Sequence, residues 1–343
     1  MEVVRLGRRL VGLTRFAFQA RGIRNSPITI EEAQQAIQDG VKNRGQRFLA
    51  KLARSVYGYP RSPYRKLLEC AGCELGDVRR LVETDGLDEA LGRLATAGVS
   101  LTYEEFKGRA PVVRGSRTFS FEPSDFDDPL MAADTFAATG GTRGKAVPRR
   151  NSSETIYQFT PHWAVFLAEN DCLQKPLSFW TLEPSAPARR QLTCSRFSQP
   201  MGPCFVAQGM TAWKDRFYAS VTHFIVQRAG EFPDAEWVPY SQPEVVAQRV
   251  LEILSSGSGM CLNTAPSAAV KVSLAARASG ATLKGLTFLL GAEPLTPARR
   301  EAIEASGAVA RPLYGSSEGG GLGGNARGRS IQTKFICWRT TTP

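Results

Sequence analysis

The stretch TFAATGGTRGKAVPRR, residues 135–150, concentrates the residue types that bind phosphate. Spaced glycines allow backbone N–H groups to turn toward one anion, and threonine hydroxyls and cationic side chains add to them. The P-loop pattern is excluded, because Ala146 stands where it needs Ser or Thr and Thr139 stands where it needs the first glycine. The alternative to a phosphate loop is a flexible surface turn. The candidate residues are Thr139, Gly140, Gly141, Thr142, Arg143, Gly144 and Lys145.

A second candidate site is YGSSEGGGLGG, residues 314–324, at the end of a predicted strand. Open α/β sheets bind ligands at such strand ends. The glycines match G-x-G-x-x-G, but a dinucleotide site needs an acid ~20 residues later, and no Asp or Glu follows Glu318. A carboxylate beside hydroxyls instead suits Mg²⁺, which binds one or two carboxylates plus substrate phosphates. The candidates are Tyr314, Gly315, Ser316, Ser317 and Glu318.

A third candidate, Gly291-Ala292-Glu293, follows the apolar run LTFLL. Because parallel strands place their carboxyl ends on one side of a sheet, this segment could line the same crevice. The alternative is a plain connection between a strand and a helix.

Residues 1–108 are predicted to be mostly helical, since RGQRFLAKLARSVYG and LDEALGRLATAG repeat apolar residues at intervals of three and four. The first 24 residues carry six arginines and one acidic residue. Their apolar positions recur at helical spacing and indicate a helix packed on its own domain. A transit peptide or a helix lying on a membrane are the alternatives. The apolar positions are Leu6, Leu10, Leu13 and Ala17.

From about residue 160, strands and helices alternate. SQPEVVAQRVLEILSSG predicts a helix with a capping box of Ser241 and Glu244 and with Pro243 in its first turn. TPARREAIEASG predicts another, with Thr296 as N-cap and Pro297 at its first position.

Two apolar runs are predicted as neighbouring strands. LTFLL is continuous, as expected of a buried strand, and AVARPLYGSSE is the next strand, broken at Gly315. The succession of strand, helix and strand predicts an α/β fold with parallel pairing. We divide the chain into a mostly helical region at 1–110, an α/β core at 111–324 and an atypical basic, irregular tail at 325–343.

The phosphate-loop candidate resembles that of the adenylate-forming (AMP-dependent synthetase/ligase) superfamily, close to its phenylacetate–CoA ligase-like branch. The loop of that family reads S/T-S/T-G-S/T-T-G-K/R. Gly140 and Arg143 depart from it, because they replace hydroxyl residues. The matching residues are Thr139, Gly141, Thr142, Gly144 and Lys145.

A later motif of the family, Y-G-x-S/T-E, is met by Tyr314, Gly315, Ser317 and Glu318. The helical segments RSPYRKLLECAG and DVRRLVETDGLDEALGRL also resemble the phenylacetate–CoA ligase-like branch. The resemblance covers most of residues 1–324 and implies the large N-terminal domain of such an enzyme.

The resemblance implies that a carboxylate attacks the α-phosphorus of ATP, giving an acyl adenylate and pyrophosphate, and that coenzyme A or another thiol then takes the acyl group. Residues 139–145 would hold the β- and γ-phosphates. Tyr314 would lie against the adenine, with Gly291 to Glu293 beside it. Ser317 would touch the α-phosphate and Glu318 would hold Mg²⁺. The implied catalytic residues are Thr142, Lys145, Ser317 and Glu318.

The C-terminal segment departs from the family. The family continues with an aspartate that binds the ribose and with a small domain that carries a catalytic lysine. The tail NARGRSIQTKFICWRTTTP contains no acidic residue and does not resemble it. We therefore expect a truncated product, a frameshifted gene, or one half of a split ligase whose partner is a separate small C-terminal domain.

The composition narrows the classes of protein to which this chain can belong. A hydrophobic content of 42% and a charged content of 22% fit a globular protein with a sizeable core, and no apolar run approaches the ~18 residues of a membrane span. The net charge of +11 permits an anionic ligand, but no nucleic-acid motif accompanies it. Seven irregularly spaced cysteines indicate reduced thiols in the cytoplasm. The lone Cys70-x-x-Cys73 is interpreted as ordinary thiols rather than a metal or redox site.

The acyl pocket is not readable from the sequence. Five of the six aromatic residues between 157 and 180 are interpreted as core, with a pocket for an aromatic acid as the alternative. They are Tyr157, Trp163, Phe166, Phe179 and Trp180. His162 and His223 are interpreted as structural. The expected function is ATP-dependent activation of a carboxylic acid, and its rival is a non-catalytic nucleotide- or acyl-binding remnant.

Overall fold

A computed structural model of the chain describes residues 2–131, 135–138, 148–182, 185–207, 213–316, 320–325 and 335–337. The chain forms two compact units. One combines Met1–Ile37 with Ala133–Thr342, and the other is Gln38–Ala132. The larger unit contains the described candidate residues Gly291–Glu293 and Tyr314–Ser316. The division into 1–110, 111–324 and 325–343 stays a prediction.

The described helices are concentrated in the first hundred residues and then alternate with strands. Those of the N-terminal part are α1 (Glu2–Arg24), α2 (Ile30–Lys42), α3 (Arg44–Lys51), α4 (Pro63–Cys70), α5 (Leu75–Asp85), α6 (Leu87–Thr96) and α7 (Tyr103–Phe106). Those of the later part are α8 (Glu154–Glu169), α9 (Ala186–Ser195), α10 (Trp213–Ala229), α11 (Pro243–Leu254), α12 (Pro266–Ala278) and α13 (Pro297–Glu304). A π-helical segment, Leu52–Tyr57, continues α3.

The described strands form two hairpins and one large sheet. The hairpins are β1 (Val112–Arg114) with β2 (Arg117–Phe119), and β3 (Thr135–Ala138) with β4 (Pro148–Asn151). The large sheet contains β5 (Leu177–Thr181), β6 (Met201–Val206), β7 (Ala235–Trp237), β8 (Met260–Thr264), β9 (Leu286–Leu290), β10 (Val309–Ser316), β11 (Gly320–Asn325) and β12 (Phe335–Cys337).

The large sheet has the order β12-β11-β10-β9-β8-β5-β6-β7. Strands β5 to β10 pair in parallel, and β11 and β12 extend the sheet in antiparallel fashion. The predicted α/β fold with parallel pairing is confirmed. Counted along the chain, the parallel strands follow the order 3-2-1-4-5-6 of doubly wound sheets. The direction of winding therefore reverses between β5 and β8, which makes this the topological switch point.

The two faces of the sheet differ in composition because successive side chains of a strand point to opposite sides. The face under α11, α12 and α13, here called the apolar face, carries Trp180, Phe205, Leu262, Phe288 and Leu290. The face under α8 and α9, here called the mixed face, carries Phe179, Cys204, Cys261, Asn263 and Leu289. Both faces are buried, as is usual for parallel sheets.

Of the two helix starts predicted from the sequence, that of α13 is confirmed and that of α11 is not. Thr296 caps α13 by accepting a hydrogen bond from the Arg299 backbone N–H, and Pro297 opens the helix, as predicted. The capping box of Ser241 and Glu244 was wrong, since α11 has Gln242 as its N-cap without a side-chain cap. Pro243 is the first residue of α11, the position that proline prefers, and this moves the N-cap one residue past Ser241.

Helix α1 packs on its own unit, as the apolar spacing indicated. Phe16, Ala20 and Ile23 are buried against α9 and α10. Leu13 is also buried, but Ala17 is exposed, so that part of the predicted stripe was wrong. The contact positions are set by the neighbouring helices, which helical spacing alone does not reveal. None of the described helices is long and apolar enough to cross a membrane.

The smaller unit, Gln38–Ala132, has its own core of Leu52, Leu68, Val78, Val82, Ala90 and Leu94. An acidic stretch of this unit, residues 122–128, forms a 3-10 turn at Pro123–Phe126. The Asp128 carboxylate that follows it accepts from the Ser55 hydroxyl at 3.0 Å and pairs with Lys51 at 3.2 Å. These contacts tie the acidic stretch to α3 and to the π-helical segment that continues it.

Candidate functional site

The carboxyl ends of β9 and β10 bring two of the three candidate segments together. Leu290, the last residue of β9, pairs with Pro312 of β10, two residues before Tyr314. The backbone N–H of Gly291 donates to the Thr264 carbonyl at 3.2 Å, which fixes the start of the β9–α13 connection to the end of β8. The segment Gly291–Glu293 and Tyr314 therefore lie at the same edge of the sheet, as parallel pairing predicted.

The backbone of this edge is strained at one residue. Ala292 has φ = 70°, in the left-handed region that a residue with a Cβ adopts at a cost. Residues held in such conformations by their surroundings are concentrated at binding and catalytic sites. The connection after β9 thus has a fixed and unusual course, with its polar backbone groups at the edge of the sheet.

The Glu293 carboxylate holds this connection in place. Its Oε1 accepts from the Ser267 hydroxyl at 2.8 Å, and its Oε2 accepts from the Ser267 backbone N–H at 3.3 Å. Arg299 of α13 pairs with the same Oε2 at 2.9 Å. The carboxylate therefore ties the loop to the first turn of α12 and to α13. The predicted part of Glu293 in a nucleotide site stays a prediction.

Tyr314 presents an accessible aromatic ring beside this connection, with 61% of its surface exposed. The pairing of β10 with β11 shifts register between Tyr314 and Gly315, but β10 continues through Gly315 to Ser316, so the predicted break of the strand at Gly315 was wrong. The extra residue is Leu322 of β11, and a bulge of this kind bends the strand that carries it. Ser316 ends β10, and Ser317 and Glu318 lie outside the described residues.

The predicted phosphate loop connects the two strands of a hairpin. β3 and β4 pair antiparallel, and the ladder ends at the pair Ala138 and Pro148. The loop residues 139–147 lie outside the described part of the chain. The roles of Thr139, Gly140, Gly141, Thr142, Arg143, Gly144 and Lys145 therefore stay predictions.

The sequence analysis missed a polar pair at the switch point. Arg190 of α9 donates from Nη1 to the Asn263 Oδ1 at 2.6 Å, and its guanidinium carbon lies 5.1 Å from the centroid of the Phe179 ring. The Asn263 Nδ2 donates in turn to the Leu289 carbonyl at 2.8 Å. The guanidinium thus spans β5 and β8, the two strands between which the winding reverses. The signal available in the sequence was an arginine in the helix that directly follows the first parallel strand.

A second group of polar contacts lies at the same edge on the opposite face. The Thr264 hydroxyl and the Tyr240 hydroxyl both donate to the Trp180 carbonyl, at 2.9 and 3.3 Å. Burial raises the pKa of Tyr240, while the Thr264 hydroxyl and the Arg190 charge act in the opposite direction. Tyr240 is therefore a neutral hydrogen-bonding group at neutral pH.

The aromatic cluster is largely core. Phe166, Phe179 and Trp180 are fully buried, whereas Tyr157 is partly exposed. Among the residues whose side chains the structure describes, the cysteines are free thiols, namely Cys70, Cys73, Cys172, Cys194, Cys204 and Cys261. His162 is buried within α8. Within the described ranges, no three His, Cys, Asp or Glu residues are grouped so that they could hold a metal ion.

No protein-family model matches the sequence, and no curated protein matches it. The fold is similar to that of 2-hydroxyisobutyryl-CoA ligase in complex with 2-HIB-AMP and CoA, at 14% identity and a TM-score of 0.45, over 87% of this chain and 54% of that chain. The chain thus spans about half the length of that protein.

Two further solved structures are more distant. VinN in complex with L-aspartate has 14% identity and a TM-score of 0.33, over 71% of this chain and 46% of that chain. The fatty acyl-adenylate ligase from L. pneumophila, in complex with acyl adenylate and pyrophosphate, has 12% identity and a TM-score of 0.34, over 61% and 32%. At such scores the function has to be argued from the residues of this chain itself.

Proposed function

We propose that this chain activates a carboxylic acid with ATP, forming an acyl adenylate and pyrophosphate, and that a thiol such as coenzyme A accepts the acyl group. The observation that carries the proposal is the adjacency of Gly291–Glu293 and Tyr314 at the carboxyl ends of β9 and β10. Tyr314 follows Glu293 by 21 residues in the sequence, and the parallel pairing of β9 with β10 brings the two segments together. Together with the motif at 139–145, they support a nucleotide site of the adenylate-forming kind.

The described residues fit an adenine ring. Tyr314 offers an exposed aromatic side chain, and base–aromatic stacking contributes ~1–3 kcal/mol per base in proteins that bind single-stranded nucleic acids. The strained connection at Ala292 begins at the end of β9, beside the end of β10 that carries Tyr314. Gly291 has no Cβ, and its nearest neighbour there, Leu313, would be 3.8 Å from one, so the edge is closely packed without steric conflict.

The phosphates and the metal are assigned only by motif. In the proposal, residues 139–145 hold the β- and γ-phosphates, Ser317 contacts the α-phosphate and Glu318 binds Mg²⁺. Fixed donors and cations there would offset the repulsion between a carboxylate and a polyanion during the attack. The Glu293 carboxylate is already bound to Ser267 and Arg299, which leaves Glu318 as the proposed magnesium ligand of this edge.

Exchange of labelled pyrophosphate into ATP tests the proposal. We would assay the full chain with Mg²⁺ and a panel of aliphatic, hydroxylated and aromatic carboxylic acids. One acid or acid class should stimulate exchange, and Lys145→Ala should abolish that stimulation. The matched control is Lys284→Ala, because Lys284 is an exposed lysine just before β9, at the opposite edge of the sheet.

Three outcomes are informative. Acid-dependent exchange that Lys145→Ala removes and Lys284→Ala retains supports carboxylate activation. ATP binding without exchange for any acid contradicts it and supports a nucleotide-binding protein without catalysis. Exchange restored only after addition of a small lysine-bearing domain would support one half of a split ligase. A cytoplasmic location and the thiol acceptor are parts of the same proposal.

A further inference from the structure

The side of α1 that faces away from the core carries exposed apolar residues. Phe16, Ala20 and Ile23 are buried against α9 and α10. Phe18, by contrast, has 87% of its surface exposed, and Val11 has 59% exposed. Residues seven apart are two turns apart on one side of a helix, so Val11 and Phe18 share the side opposite the buried one. The apolar side chains on this outer side are therefore largely in contact with solvent.

Helix α1 also concentrates positive charge. It contains six arginines and one acidic residue, so nearly half of the net charge of +11 lies on this one helix. The smaller unit, Gln38–Ala132, contains basic and acidic residues in nearly equal number. Arg21 is exposed and follows Phe18 by three residues, which makes the two side chains neighbours on the helix surface. The charge complementary to this helix is negative.

Helix α10 extends the outer side of α1. The Arg24 guanidinium at the end of α1 donates from Nη1 to the Ala229 carbonyl at 2.6 Å, which joins the ends of the two helices. Phe224, five residues before Ala229, has 55% of its surface exposed, and the guanidinium carbon of Arg228 lies 4.9 Å from the centroid of its ring. Each helix thus places an exposed phenylalanine and an arginine within two turns of this junction. The Phe–Arg surface is defined by Phe18, Arg21, Phe224 and Arg228.

An anionic lipid surface fits both properties of the Phe–Arg surface. A helix that lies on a bilayer places its apolar side chains at the acyl boundary and its basic side chains among the headgroups. Acidic lipids attract arginines near the membrane, and salt screens the attraction. A nucleic-acid duplex would also attract the arginines, but its phosphate backbone offers no apolar region to two exposed phenylalanines. The combination of exposed rings and positive charge therefore favours the bilayer.

We propose that the Phe–Arg surface docks this chain on a bilayer that contains acidic phospholipid. The rings of Phe18 and Phe224 enter the acyl boundary, and Arg21 and Arg228 contact headgroup phosphates. The buried side of α1 keeps its contacts with α9 and α10, so docking requires no unfolding of the helix. The inference is independent of the proposed adenylation, because it uses none of the candidate residues of that site.

Co-sedimentation of the full chain with lipid vesicles tests the proposal. The vesicles are made of phosphatidylcholine alone or of an equimolar mixture of phosphatidylcholine and phosphatidylserine. The test variant combines Phe18→Ser with Arg21→Gln. Helix α12 offers a matched control, since it also carries an exposed apolar residue followed three residues later by an exposed arginine. The control variant combines Leu274→Ser with Arg277→Gln.

The parent chain should bind the mixed vesicles about tenfold more strongly than phosphatidylcholine vesicles, and high salt should weaken that binding. The α1 variant should lower binding to the mixed vesicles at least fivefold, whereas the α12 variant should leave it unchanged. Equal binding of the parent to both kinds of vesicle would overturn the proposal, as would equal losses in the two variants. Binding to a DNA duplex that only the α1 variant loses, without a preference for mixed vesicles, would assign the surface to nucleic acid instead.

The position of the Phe18 side chain in the bilayer provides a second measurement. Phe18→Trp and Leu274→Trp each add one indole to the chain, and the fluorescence of each variant is compared with that of the parent. Brominated phosphatidylcholine in the mixed vesicles should quench the added fluorescence at position 18 and not at position 274. A vesicle-bound chain whose indole at position 18 escapes quenching would contradict docking through this surface. Pyrophosphate exchange without vesicles should be the same in both variants, which separates this test from that of adenylation.

Discussion

The two faces of the large sheet are equally buried and chemically different. The apolar face packs Trp180, Phe205, Leu262 and Phe288 against α11, α12 and α13. The mixed face interleaves Phe179 and Leu289 with thiols, an amide and, through α9, a guanidinium. The same strands supply both faces, so the difference does not arise from the depth of burial. It arises from which residue types alternate along each strand.

The apolar face contributes mainly to stability, whereas the polar groups of the mixed face have fixed directions. An apolar face gains by the removal of hydrocarbon from water, which has no direction and selects no ligand. A buried polar group has to be partnered, and the partners fix its direction. On the mixed face, Asn263 and Arg190 are fixed in this way beside the switch point. We therefore expect substitutions on the apolar face to act through lost burial and those at Arg190 or Asn263 to act through lost hydrogen bonds.

The largest loss of unfolding free energy should come from a substitution in the middle of the apolar face. Phe288→Ala removes a fully buried ring from β9 and should lower the free energy of unfolding by about 3–5 kcal/mol, through lost transfer energy and the cavity left behind. Urea denaturation would measure it. Leu274→Ala on α12 is the control, because Leu274 is 50% exposed and should change stability by less than about 0.5 kcal/mol. A loss below about 1 kcal/mol for Phe288→Ala would remove the contrast between the faces.

An intermediate loss of unfolding free energy should come from ionisation of the Cys204 thiol, on the mixed face, at alkaline pH. Burial raises the pKa of Cys204 to about 11, from an ordinary value of 9.0. Below pH 9 both the folded and the unfolded chain keep this proton, and the contribution of the Cys204 thiol to the stability of the fold is fully present. Between pH 9 and 11 the unfolded chain releases the proton while the folded chain retains it, so stability falls by about 2–3 kcal/mol in total.

Urea midpoints at pH 8 and pH 10.5 would test this loss. Cys204→Ala should reduce the difference between the two midpoints, whereas Cys70→Ala, at a partly exposed thiol, should leave it as in the parent chain. An identical alkaline loss in the parent and in Cys204→Ala would show that the Cys204 thiol does not contribute.

The smallest effect should come from the end of a helix on the apolar side. Thr296→Ala removes the side-chain cap of α13 and should cost about 1 kcal/mol of unfolding free energy. Thr296→Ser keeps the hydroxyl and should retain most of the stability. Comparable losses in the two variants would show that the hydroxyl does not cap the helix in solution.

Features that depend on neighbouring residues in the sequence could be predicted, as the cap of α13 illustrates. Thr296 and Pro297 act within one turn, and the run at 286–290 is apolar on both faces because both faces are buried. The capping box at Ser241 was wrong because two local preferences competed and proline at the first helical position prevailed.

Features that depend on strand order could not be predicted. The carboxyl ends of β9 and β10 could be inferred to share one edge, because parallel pairing was expected. The contact of Arg190 with Asn263 joins residues 73 positions apart and exists only because β5 lies beside β8. Nothing in the local pattern of either segment indicates that adjacency. The exposure of Ala17 could not be predicted either, because α9 and α10 decide which side of α1 is buried.

The central claim is that the edge formed by the ends of β9 and β10 binds the adenine of ATP. Photolabelling with 8-azido-ATP tests it most directly, because the azide reacts with whatever lies beside the base. We predict that the label, competed away by unlabelled ATP, is found on peptides containing Gly291–Glu293 or Tyr314. Competed label found instead on peptides of the smaller unit, Gln38–Ala132, or label that excess ATP does not displace, would contradict the claim.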